Sequence, residues 1–341
     1  MTAFAFVPYG QPFDPAPNRL VLDVGMKTVP GVIDHHHPEA EPECTASLIA
    51  AQPSLVLDHL RPGGKAADLD ALTIVTHRLP DFDAVASIFL SLRLLETGCL
   101  DPIMAKIAAY TKLVDSASLP SSIDLSGTPY AILRALFAGA KKEEEAVNAD
   151  RIAEGLKFMR FLYARAEEGY EILENRALFS GIDRYERAAV KVEKDHSQYL
   201  EDLARGRKAA LSLPTTDGRS RKAVDGLFVA NPWSFLLKEW ARREREEAPL
   251  GRGFGFLMTS FGQERHILGV DPAQRVNLRG LGTILNEKEK RKRAASGSPE
   301  GRPWYEGNCP FFDYRIIDSP QDGTALDRDE IVAAVLEFGS G

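Results

Sequence analysis

Three short apolar runs in this chain end in groups able to bind a cation. Val32-Ile33-Asp34-His35-His36-His37 ends in a carboxylate and three imidazoles. Thr76-His77-Arg78-Leu79-Pro80-Asp81-Phe82-Asp83 places an imidazole and two carboxylates at i, i+4 and i+6. Leu20-Val21-Leu22-Asp23-Val24-Gly25 ends in one carboxylate. Taken singly, a strand-end histidine usually serves a hydrogen bond and an aspartate before a helix usually caps it. Recurrence at three strand ends weakens both readings. The histidine run is internal, follows a β-like run and is preceded by Asp34, so it is no appended tag. In an open parallel α/β sheet, ligands bind beyond the carboxyl ends of the strands. Three such ends would bring Asp and His to one crevice, the geometry of a hydrolytic metal centre. Mixed imidazole and carboxylate donors suit Mn2+, with Zn2+, Co2+ or Fe2+ as competitors. An all-oxygen set would point to Mg2+, which stays compatible.

The elements that must position these groups follow from periodicity. Strand-like runs fall at Phe4–Pro8, Arg19–Val24, Gly31–Asp34, Ser54–Leu57 and Leu72–His77. Helical runs fall at Cys44–Ala51, Ala84–Thr97 and Pro102–Val114. In Ala84–Thr97 the apolar positions Val85, Ile88, Phe89, Leu92 and Leu95 make a 3.6-residue stripe, and Gly98 supplies a stop. Strands alternating with helices predict a parallel sheet with βαβ crossovers. Residues 141–207 are rich in Glu, Lys, Arg and Ala and predict two long helices meeting near Ser180-Gly181.

From 208 onward β-like runs return at Ala209–Leu213, Gly226–Ala230, Phe254–Thr259, His266–Val270 and Tyr314–Ile317. Helices are expected at Trp233–Glu247, Leu278–Lys290 and Asp329–Phe338. The expected fold class is therefore α/β. A parallel-sheet N-terminal domain (1–140) carries the metal site, 141–207 is a helical connector, and 208–341 is a smaller C-terminal α/β domain.

Two motifs carry a resemblance. Asp34-His35-His36 resembles the signature of the DHH phosphoesterase family. His77-x-x-Pro80-Asp81-x-Asp83-Ala84-x-x-Ser87 resembles that family's His-x-x-x-Asp-x-Asp loop with its following helix. Cys44-Thr45-Ala46-Ser47-Leu48-Ile49 is similar to the helix that usually follows the first motif. The family includes family II inorganic pyrophosphatases, exopolyphosphatases, single-strand exonucleases, and phosphodiesterases for short oligonucleotides and cyclic dinucleotides. The match covers roughly residues 20–120.

The resemblance implies two metals, most simply Mn2+. Asp23 would bridge them, His77 and Asp81 would hold one, and His35, Asp83 and Asp115 would hold the other. It implies that His36 contacts the scissile phosphate and that Asp34 orients His35. Arg78, inside the metal loop, could touch substrate. Asp58 is a rival to Asp115, and His37 to His36. In the family the His-x-x-x-Asp-x-Asp loop precedes the other motifs; here it follows them, which implies a differently wired sheet. The glycine-rich motif of one family branch is absent from the C-terminal half, so the substrate does not carry over.

The function these readings imply is a two-metal phosphohydrolase or phosphodiesterase, with metal-activated water attacking a small nucleotide, short oligonucleotide or polyphosphate. The alternatives are a mononuclear metal hydrolase, or a non-catalytic phosphoryl-ligand sensor on the same scaffold. Candidate substrate contacts in the C-terminal half are Arg265, His266 and Arg302, beside Trp304 and Tyr305, whose rings could stack on a base. The segment 287–303, with its basic run Lys288, Lys290, Arg291, Lys292 and Arg293, reads as a frayed helix end and loop, or as a flap over an anionic substrate. The net charge of −7 argues against a general nucleic-acid magnet, so no double-stranded nucleic acid is expected. No apolar run approaches the ~18 residues of a membrane span, and the N-terminus has no basic leader. Three scattered cysteines, Cys44, Cys99 and Cys309, fit a reducing compartment. A cytoplasmic enzyme, monomeric or oligomeric, is the expectation.

Overall fold

A computed structural model describes residues 2–64, 68–139 and 144–340. The start of the expected connector, 141–143, lies outside the described residues. The chain divides into two compact units: 1–192 with 309–311, and 193–308 with 312–341.

The first unit contains β1 (Ala3–Val7), β2 (Arg19–Leu22), β3 (Thr28–Val29), β4 (Val32–Ile33), α1 (Thr45–Ala51), α2 (Ser54–Leu60), β5 (Thr73–His77), α3 (Phe82–Thr97), α4 (Pro102–Asp115), α5 (Pro129–Phe137) and α6 (Glu145–Glu167). The boundary between the units falls within α7 (Asp183–Arg205). The expected mixed α/β class holds. The sheet runs β1-β5-β2-β4-β3, parallel except for β3. Thus β5 lies between β1 and β2, with Val7 opposite His77 and Val21 opposite Val75. Strands distant in sequence therefore end side by side, so motif order does not determine which groups meet.

The turn after β2 is tight. Asp23 and Met26 have φ of 63° and 60°, and Gly25 has φ of 116°. A Cβ on Gly25 would lie 2.5 Å from Val32 Cγ1, so this position admits only glycine. One element differs from expectation: Ser54–Leu57 begins helix α2 and is not a strand. A four-residue apolar run does not distinguish the two. The two expected long helices are α6 and α7; α7 begins just past Ser180-Gly181, and the connection from α6 includes a turn of 3-10 helix, Arg176–Phe179.

The second unit is built on β6 (Arg207–Pro214), β7 (Arg221–Ala230), α8 (Leu237–Arg243), β8 (Phe254–Phe261), β9 (Arg265–Val270), α9 (Leu281–Ser296), β10 (Ile316–Asp318) and α10 (Arg328–Phe338). Its sheet order is β10-β9-β8-β7-β6, with only β7 and β8 parallel. Among the described residues, no helix is long and apolar enough to cross a membrane.

Candidate metal centre

The site stands at the carboxyl ends of β2, β4 and β5. Asp23 follows β2, Asp34 to His36 follow β4, and His77 ends β5. Asp81 caps α3, accepting from Ala84 N at 3.1 Å, and Asp83 lies in the first turn of that helix. Asp115 is the last residue of α4. Asp23, His35, His77 and Asp83 are essentially buried, while the Asp81 side chain is 43% exposed.

Contacts among these residues form two groups that meet at Asp23. His77 Nε2 lies 3.2 Å from Asp23 Oδ2 and 3.7 Å from Asp81 Oδ1. His35 Nδ1 lies 3.4 Å from Asp23 Oδ1 and 3.7 Å from Asp83 Oδ2, while its Nε2 lies 3.4 Å from Asp115 Oδ2. Three combinations could hold a metal ion, each with donor atoms within 4.8 Å of one another: Asp23/Asp34/His35/His36, Asp23/His77/Asp81 and His35/Asp83/Asp115.

Neighbouring groups fix these donors. His77 Nδ1 donates to Arg78 O at 2.8 Å, so Nε2 faces the carboxylates; burial disfavours the imidazolium, but Asp23 and Asp81 outweigh it and raise His77 well above its usual range. For His35 the partner is Thr45, which the sequence places in the helix after the first motif but to which it gives no role. Thr45 Oγ1 donates to Asp23 Oδ1 at 3.1 Å and lies 3.1 Å from His35 Nδ1, from which it can accept. With Nδ1 donating to Thr45, Nε2 is the nitrogen left to face Asp115. Asp83 is held by the start of α1, where Thr45 N and Ala46 N each donate to one carboxylate oxygen at 2.9 Å.

The hydrogen bonds of Asp34 run to His36 and Met26. Asp34 accepts from His36 Nδ1 at 2.8 Å, His36 N at 3.0 Å and Met26 N at 2.7 Å. The left-handed turn at Met26 delivers that third donor. Asp34 therefore positions His36 and closes the β2 turn. Of the rivals, Asp58 is exposed on α2 and His37 is within 3.2 Å of Thr28 Oγ1; neither joins the cluster. The Arg78 side chain is exposed.

The electrostatics follow from crowding. Burial pushes Asp83 up to about 8, with Asp23 and Asp81 adding to it. Burial, then Asp83, likewise raise Asp115 well above the carboxylate range. Burial also raises Asp23, against the pull of His77. Burial disfavours the His36 imidazolium, but Asp34 outweighs it and lifts His36 to about 9. His35 is pushed well below the usual range by burial and by His36. The donor set fits divalent cations on a second count too: His77 Nε2 and Asp115 Oδ2 are buried without a hydrogen bond.

Two aromatic rings border the cluster, and neither was singled out from the sequence. Tyr9, just past β1, stacks on His77 with centroids 4.3 Å apart and stands edge-on to His36 at 5.3 Å. Phe311, part of the same unit, stands edge-on to His35 at 4.9 Å.

The expected substrate contacts of the C-terminal half lie in the second unit. His266 is fully buried, with Nδ1 at 2.9 Å from Ser260 Oγ and Nε2 at 3.1 Å from Gln263 O; it is a structural histidine. Trp304 is 2% exposed and belongs to the core, so it is no stacking platform. Arg265 and Arg302 are exposed. The basic run is not a frayed end. It lies on α9, which continues to Ser296 and is capped by left-handed Gly297. Lys288, Arg291, Lys292 and Arg293 face Glu337, Glu287, Glu330 and Glu289 respectively. Four of the five cations of the run thus have an acidic neighbour, while Lys290 is exposed.

The chain matches no protein-family model, and no curated protein matches it.

Proposed function

We propose that the protein is a phosphohydrolase or phosphodiesterase that works with two divalent metal ions, on the pattern of the DHH phosphoesterases that its motifs resemble. The observation that carries this reading is the pair of donor groups, His77/Asp81 and His35/Asp83/Asp115, with Asp23 within reach of both imidazoles. Two groups sharing one carboxylate favour two ions over the single ion of a mononuclear hydrolase. Mixed nitrogen and oxygen donors favour Mn2+. A metal pair in such a site acidifies water and neutralises charge on a phosphoryl group. The chain's own residues do the rest. Thr45, Arg78 O and the start of α1 orient the donors. His36, held charged by Asp34, can meet an anionic oxygen of the substrate. The substrate class is a phosphoanhydride or phosphodiester, either a small nucleotide, a short oligonucleotide or a polyphosphate.

The test is hydrolysis of a generic phosphodiester, with and without Mn2+, by wild type and by Asp83→Ala and His35→Ala. Both variants should keep the far-ultraviolet circular dichroism of the folded chain and lose turnover by about a thousandfold or more. Unchanged turnover at matched metal loading in either variant would exclude this reading.

A further inference from the structure

His77 and Asp81 reach the same group through a loop whose shape the chain alone does not favour. Between them Leu79 has φ of 53°, a left-handed conformation that a leucine holds only under constraint. The constraint comes from outside the loop. Leu79 N donates to Asn148 Oδ1 at 2.7 Å, a contact across 69 positions of sequence. Asn148 lies in the first turn of α6 and is 1% exposed. Two turns further along the helix, Gly155 abuts α3. A Cβ there would lie 2.6 Å from Val85 Cγ1, which sets how closely α6 lies on α3. Gly155 thus lets α6 come close enough for Asn148 to reach the loop. Two local hydrogen bonds hold the loop, His77 Nδ1 on Arg78 O and Ala84 N on Asp81, and two come from distant sequence: Arg78 N on Val7 O at 3.0 Å and Leu79 N on Asn148, which is the one bond of the four made to a side chain of α6.

We propose that Asn148 is a positioning residue for one half of the metal centre: it holds the His77–Asp81 loop in its binding shape and leaves the His35/Asp83/Asp115 half to other supports. The inference rests on the two-metal reading above and assigns α6 a part in it. The second half has its own anchors, Thr45 and Ala46 on Asp83, and none of them involves Leu79.

The test uses the full chain and Mn2+ alone, titrated by calorimetry and by electron paramagnetic resonance. Wild type should take two ions and show the spectrum of a coupled pair. Asn148→Leu, of similar volume without an acceptor, should weaken one ion by about 10- to 100-fold and leave the spectrum of an isolated ion. Adding His77→Ala to that variant should weaken the same ion further and spare the other, whereas adding Asp115→Asn should remove the remaining ion. Leu79→Gly, which accepts positive φ without strain, should restore part of the lost affinity in the Asn148→Leu background. If Asn148→Leu does not fold, Asn148→Ser is too short to reach Leu79 and carries the same expectation. Two ions bound by the variant as tightly as by wild type would overturn the inference and leave the metal reading standing. Equal weakening of both ions would also overturn it, by making Asn148 a packing residue. A wild type that binds no Mn2+ would remove the metal reading itself, and the inference with it.

Discussion

Both units bury carboxylates, and they treat them in opposite ways. In the second unit Asp195, 1% exposed, accepts from Ser234 Oγ, Phe235 N, Leu236 N and Trp240 Nε1. Asp202, fully buried, accepts from Trp233 N, Ser234 N and Arg205. Each is surrounded by donors, so it ties α7 to the turn that precedes α8. In the first unit Asp83 also has N–H donors, from Thr45 and Ala46, but Asp23, Asp83 and Asp115 all crowd around the same imidazole, that of His35. Burial of a charge is tolerated when it is paired and hydrogen-bonded, and is expensive when like charges crowd. Buried acidity is therefore structural in one unit and marks a site for cations in the other. The deciding feature is the crowding of carboxylates: Asp83 and Asp115 are raised by burial and by neighbouring carboxylates.

That contrast predicts stability changes of opposite sign in chelator-treated protein. Asp195→Ala leaves several buried N–H groups without an acceptor and should destabilise by about 3 kcal/mol. Asp115→Asn removes one of the crowded charges and should stabilise the metal-free chain by about 1 kcal/mol, while lowering Mn2+ affinity. Urea melts of both variants, with and without Mn2+, check the pair. If Asp115→Asn destabilises the metal-free chain as Asp195→Ala does, the distinction between the two kinds of buried carboxylate is lost.

A smaller effect sharpens the comparison through pH. Burial alone would raise Glu289, but Thr324, Ala325 N, Arg293 and Trp304 surround it and hold it below the usual carboxylate range. With a folded pKa below the unfolded value, its contribution is present above the unfolded pKa. It is lost as pH falls through the lower, folded value. Glu289→Gln should thus lower stability at neutral pH and flatten the acid limb of the stability profile. An unchanged acid limb would mean that the donors around Glu289 contribute packing and no charge stabilisation.

The sequence made some of this legible and hid the rest for identifiable reasons. His77 and Asp81 flank one short loop, so their meeting is a local property that spacing reveals, while Asp83, in the first turn of α3, joins His35 and Asp115 instead. The meeting of that loop with Asp23 depends on β5 lying between β1 and β2, which strand-end chemistry suggests and chain order does not. The resemblance implies a link from Asp34 to its sequence neighbour His35. The backbone after β4 brings the His36 ring back to Asp34, and Met26 reaches it from a left-handed turn that periodicity cannot register. Tyr9 and Asn148 have no local signal, because each acts through a partner far away in sequence, and Thr45 lies in a recognised stretch whose spacing does not reveal its role. The basic run on α9 does not itself display its acidic partners, because they lie mostly outside the run, on α10 and in the residues before it.

The smallest expected effect concerns two stacked pairs that look alike. Tyr9 lies on His77 with an interplanar angle of 21°, and Trp304 lies on His266 at 20°. Their surroundings differ. Trp304 is buried and donates from Nε1 toward Glu289 at 3.4 Å, so its stack belongs to the core of the second unit. Tyr9 is 36% exposed and touches both His77 and His36, one imidazole that would hold metal and one that would meet substrate. An aromatic contact of this kind contributes about 0.5–1.5 kcal/mol beyond area burial, which corresponds to roughly 3- to 10-fold in a rate or binding constant. Tyr9→Leu should therefore lower kcat/KM by about that factor, with Mn2+ affinity and melting temperature close to wild type. Trp304→Leu should do the reverse, lowering the melting temperature by several degrees and leaving turnover per folded chain unchanged. The pair of measurements separates the two stacks cleanly. If Tyr9→Leu instead reproduces the Trp304→Leu pattern, Tyr9 is a packing residue, and the exposed rim of the metal centre must take its shape from other side chains.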